Sequence, residues 1–64
     1  MTKEEFSRRF TEEIVKMSFR HKKLPFGRAP HGYAHDVVPS YWREYLLHGG
    51  TPESWAQEDA HLWE

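Results

Sequence analysis

Cysteine is absent from these 64 residues. That excludes a disulfide framework, the support most often found in chains too short to build a large core. A chain of this size buries only about 60% of the surface its unfolded form exposes, so a metal or a second subunit gains weight as a substitute. No apolar run is long enough to span a bilayer, and no charged-then-apolar leader opens the chain. The expectation is a soluble, cytoplasmic protein with no membrane partner. Carboxylates are missing from "HKKLPFGRAPHGYAH", residues 21–35, which holds three histidines, three basic side chains, two prolines and two glycines. Cations are almost missing from the other half of the chain. Residues 33–64 carry one Lys/Arg against six Asp/Glu (−5), residues 1–32 carry eight against four (+4), and the net charge of −1 hides this division. Either the halves neutralise each other within the fold or across a dimer, or a basic face is offered to an acidic partner.

What is present reads as an all-α fold, a single domain of three helices over residues 1–64. Thr2 and Glu5 have capping-box spacing, and Phe6, Phe10, Ile14 and Met17 recur as one stripe of a 3.6-residue period, so the first helix spans about 3–19. Glu4 with Arg8, Glu5 with Arg9 and Glu12 with Lys16 form i, i+4 pairs. Lys3, Arg20, Lys22, Lys23 and Arg28 are left without a local partner. Val15 and Phe19 form a second pair rotated away from the main stripe. The following loop is expected to fold back over them with Leu24, Phe26 and Tyr33; uncovered, they would make an apolar strip for a partner. Pro39 suits a first helical turn and "GG" at 49–50 a stop, which places the second helix at 39–48 and leaves a basic loop of roughly 17 residues. Thr51 and Pro52 open a third helix expected to reach residue 63. Trp55, Ala56, Ala60, Leu62 and Trp63 share its apolar face. Asp59 interrupts that face and is expected to pair with a loop cation or Arg43, because an unpaired buried carboxylate costs several kcal/mol, or else to stay wet on a fraying terminal helix.

Three functional classes can be weighed from these residues. The C-terminal helix pair has a helix-turn-helix outline, but Glu53, Glu58, Asp59 and Glu64 on the third helix would be repelled by phosphates. Nucleic acid, if bound, would be gripped by Arg20, Lys22, Lys23 and Arg28 at residues 20–28, with Phe26 and Tyr33 as stacking platforms. His21, His31, His35 and Asp36 are metal donors on paper, but Pro30 and Gly32 argue against a helix that would align them, so no metal or other cofactor is expected. Ser40, His35 and Asp36 are sequence neighbours with no reason to form a triad, and no enzyme activity is expected.

The aromatic distribution favours protein binding. All four Phe lie in residues 6–26 and all six Tyr and Trp in residues 33–63. Rings with a polar tip suit half-buried or partner-covered surfaces, and a domain this small does not easily enclose six of them. Trp63 reads either as a lid on the core or as a partner contact. The resulting expectation is a non-enzymatic protein-binding module, an adaptor, regulator or inhibitor, with nucleic-acid binding as the runner-up. Its partner-binding residues are Arg20, Lys22, Lys23, Arg28, Tyr33, Leu47, Asp59 and Trp63. Self-association as a symmetric dimer is expected from the small core.

Overall fold

The computed structural model describes residues 1–63, so the reading of Glu64 lies outside the described residues. Three helices, α1 (Lys3–His21), α2 (Pro30–His48) and α3 (Pro52–Ala60), with a one-turn 3-10 helix at Pro25–Gly27, form an all-α domain without strands among those residues. Its radius of gyration is 10.8 Å, against about 10.7 Å for a compact chain of this length.

The α1 stripe organises the core. Phe6, Phe10, Ile14 and Met17 are all buried, and α1 packs closely against both other helices, while α2 and α3 meet through long side chains rather than close backbones. Thr2 caps α1 by accepting from the Glu5 amide at 3.1 Å. The Glu5 carboxylate does not reach back to complete the box but lies 3.8 Å from Arg9 and 3.9 Å from Arg8. Arg8 turns towards Glu12 at 3.1 Å, and Arg9 leaves its own helix to clamp Glu53 of α3 through two bonds of 2.9 and 2.7 Å. Buried Glu13 accepts from Gln57 at 3.2 Å, a second link between α1 and α3.

The second helix begins at Pro30, nine residues before the expected start at Pro39, and the loop shrinks to residues 22–29. Pro30 takes the first helical position after extended Ala29, and Pro39 sits inside the helix. An interior proline costs about 3 kcal/mol. Against it stands a continuous stripe, Ala34, Val38, Tyr41 and Tyr45, that packs on the core across Pro39. The ring of Pro39 faces solvent, as does His35, whose carbonyl loses its helical donor and stays within reach of water. Gly49 and Gly50, at φ 76° and 93°, make the turn into α3. A Cβ on Gly50 would lie 3.3 Å from both Ser54 Oγ and Trp55 Nε1. Thr51 and Ser54 exchange bonds of 3.0 and 3.1 Å in a full capping box. The third helix ends at Ala60, three residues before the expected 63, and the chain then turns so that Trp63 folds inward while Leu62 is left exposed.

Candidate functional site

Two arrangements meet at residues 22–33, one facing inward and one outward. The inner one is centred on Asp59, which is only 4% exposed. Its partner is not a cation: Oδ2 accepts from the Tyr33 hydroxyl at 2.7 Å and the Trp63 indole at 3.0 Å, and Oδ1 from the Tyr41 hydroxyl at 2.6 Å. Neither Arg43 nor a loop cation reaches it, which corrects the expected ion pair. Three neutral ring donors can satisfy a buried carboxylate without burying a second charge and its desolvation penalty. Burial, and then the bond to Asp59, push the Tyr33 and Tyr41 hydroxyls above the ordinary tyrosine value of 10.0. Among the described residues no buried side-chain nitrogen or oxygen lacks a partner.

The outer arrangement is built from the end of α1. Lys22 takes the left-handed conformation at φ 51°. Its amide donates to the Phe19 carbonyl at 3.3 Å and the Lys23 amide to the Ser18 carbonyl at 3.1 Å, the double bond pattern of a Schellman cap. Ser18 Oγ donates to the Lys23 carbonyl at 2.6 Å, and Lys23 Nζ to the Trp63 carbonyl at 3.4 Å, so the cap is tied to the C-terminal turn. Pro25 is buried, and around it the backbone turns sharply, with Phe26 at φ 53° and Gly27 at φ 76°. A phenylalanine in the left-handed region is strained, and such strain persists only where the surroundings impose it. These turns hold Leu24 and Phe26 half exposed and leave Phe19 80% exposed. The loop does not fold over Phe19 as expected. An open groove of about 390 Å³ results, lined by Ser18, Phe19, Lys22, Lys23, Leu24 and Pro30.

The eight expected site residues separate into four places. Lys22 and Lys23 line this groove, Arg20 is exposed on the same last turn of α1 without lining it, and Arg20 and Lys22 make no salt bridge among the described residues. Arg28, expected to be free, pairs with Asp36 and lies 5.7 Å from the centre of the Tyr33 ring. The pairing holds the Asp36 carboxyl below its ordinary range. Tyr33, Asp59 and Trp63 belong to the interior; Trp63 is 5% exposed, which agrees with a lid and leaves it no free face for a partner. Leu47 is exposed beside exposed Leu46, about 25 Å along α2 from Pro30, so it shares no surface with the groove. The residues missed in the sequence are Phe19, Leu24 and Pro30. The offset pair Val15 and Phe19 carried the signal for the first.

Among the described residues no three His, Asp or Glu side chains gather as a metal would require, and no helix is long and apolar enough to cross a membrane. No family model, curated protein or solved structure matches the chain.

Proposed function

We propose that this protein is a small non-enzymatic binding module, an adaptor, regulator or inhibitor, whose docking face is the groove at the end of α1. The observation that carries this reading is Phe19, a large ring left 80% exposed in a groove it shares with Leu24, Lys22 and Lys23. Isolated exposed apolar residues are ordinary, but several lining one concave surface are the mark of a contact site. The backbone supports the same reading, since the left-handed residues Lys22 and Phe26 fix the shape of the face before any partner arrives. The buried carboxylate, by contrast, is enclosed by three donors and has no open approach for a substrate.

The nucleic-acid alternative has less to work with. Of the residues expected to grip it, Arg28 is engaged by Asp36 and the Tyr33 ring is buried, which leaves Arg20, Lys22, Lys23 and the half-exposed Phe26, with exposed Phe19 as a further ring. Phosphate recognition draws its affinity from the number of charges neutralised, and three is a small number. A photo-crosslinking residue placed at position 19 tests the choice. Covalent protein adducts in nuclease-treated extract, formed from position 19 and not from position 47, are expected. Adducts that disappear with nuclease, or form equally from both positions, would remove the basis for this docking face.

A further inference from the structure

The groove contains features that narrow the chemistry of its occupant. From residue 14 to residue 35 the chain has no carboxylate, so the groove at Phe19, Leu24 and Pro30 has cations on its rim and no acid of its own segment to neutralise them. The end of a helix ordinarily repels anions through its free carbonyls. Here the Ser18 and Phe19 carbonyls are covered by the Lys23 and Lys22 amides, which removes much of that repulsion. The floor is apolar and the volume of about 390 Å³ lies at the small end of the range for binding pockets. That is room for one or two large side chains, not for a folded surface.

Resting on the docking reading above, we infer that the occupant is a short acidic segment of another protein, anchored by one or two large apolar side chains between Phe19, Leu24 and Pro30, with its carboxylates on Lys22 and on Lys23, whose Nζ has donors to spare beside its bond to the Trp63 carbonyl. A second copy of this chain fits less well. Its Asp36, Glu53 and Glu12 are held by Arg28, Arg9 and Arg8, and Asp59 is buried; its exposed Glu4 and Glu58 lie within helices α1 and α3, which are too bulky for a groove of about 390 Å³. A lipid surface is flat, whereas this site is concave and receives a side chain.

Amide shifts of the ¹⁵N-labelled full chain test the inference with three peptides: EDDFEELLDED, the same peptide with serine for each apolar residue, and the same with lysine for each acid. The first is expected to move the amides of residues 18–24 in a saturable way, and the other two to bind at least about tenfold more weakly. Phe19→Ser should weaken the first peptide about tenfold or more, as loss of a central anchor does. Lys22→Gly should weaken it about two- to fivefold, as loss of a rim charge does, while leaving the chain no less stable because glycine suits the left-handed position. Equal binding of the serine peptide would overturn the inference by showing attraction through charge alone. Equal or tighter binding of the lysine peptide would overturn the acidic occupant and leave the docking reading standing. Shifts in residues 18–24 that grow with the chain's own concentration would replace the occupant by a second copy. If no peptide moves these amides, the inference falls; if a random single-stranded oligonucleotide or a phosphatidylcholine–phosphatidylserine vesicle moves them instead, the docking reading falls with it.

Discussion

On the inner side of residues 22–33, Tyr33, Tyr41 and Trp63 converge on one carboxylate and, among the described residues, every buried side-chain nitrogen and oxygen has a partner; on the outer side, Phe19 and Leu24 stand in solvent beside Lys22. The inner side holds polar groups in an apolar place and the outer side holds apolar groups in a polar place. Only the first is resolved within the chain. A buried carboxylate must be satisfied for the domain to fold at all, so residues that satisfy it are constrained by stability. Exposed phenylalanine at a helix end contributes little to stability, so its position is left for binding to use.

This contrast can be broken most severely at Asp59. Asp59→Ala would leave two hydroxyls and an indole N–H without their acceptor beside a new cavity, an expected loss of about 3–5 kcal/mol, enough to unfold a domain of this size. Urea unfolding followed by circular dichroism measures it, and a loss under about 1 kcal/mol would show that the hub is not needed. Asp59→Asn keeps an acceptor and should fall between wild type and Ala. Next in size, Tyr33→Phe or Tyr41→Phe removes one bond to a charged acceptor, worth about 1.5–3 kcal/mol.

These hydroxyls also give the inner side a pH signature. The folded hydroxyls are shifted above 10.0, chiefly by burial, so above about pH 10 the unfolded chain loses these protons first. Their contribution is full below that pH and is lost as pH rises. Tyr33→Phe and Tyr41→Phe, each by itself, should make the alkaline decline expected in urea midpoints shallower; an unchanged decline in both would remove the tyrosines as its cause.

A smaller effect is expected at the clamp between α1 and α3. The Arg9 guanidinium holds Glu53 below its ordinary value of 4.5, so this contribution is present above that pH and is lost as pH falls through the lowered value. Glu53→Gln should produce a small loss at neutral pH that shrinks in high salt, because both groups are partly open to solvent. A salt-independent loss would contradict the electrostatic assignment. Smallest is the cap. Lys22→Gly relieves a left-handed lysine and should raise stability by up to about 1 kcal/mol, read from the same denaturation curves; a clear loss would show that the lysine stem contributes more than its backbone costs.

How far these two sides can be read from sequence differs in the same way. The α1 stripe, the Thr51 cap and Pro52 at the start of α3 are local signals, and each marks its element. The start of α2 was hidden because Pro30 and Pro39 both suit a first helical turn, and only the stripe Ala34, Val38, Tyr41, Tyr45 running across Pro39 distinguishes them. Asp59 stood out as a carboxylate on an apolar face, yet its partners did not. Cations are the usual expectation, while here the tyrosines and the terminal tryptophan were available as neutral donors. That also explains why Tyr33 and Trp63 belong to the interior, while Tyr41, Trp42, Tyr45 and Trp55 lie half-buried against the core, as rings with polar tips suit. The outer face depended on whether the loop would cover Phe19, a matter of tertiary geometry that helical periodicity does not contain.

That the rings bonded to Asp59 are committed to the core while Phe19 is free of it is tested most directly by urea unfolding of Trp63→Ala and Phe19→Ser side by side. The account predicts a loss of about 3–5 kcal/mol for Trp63→Ala, leaving little folded protein, and a change within about 0.5 kcal/mol for Phe19→Ser. Comparable losses in the two variants, or a larger one for Phe19→Ser, would contradict it.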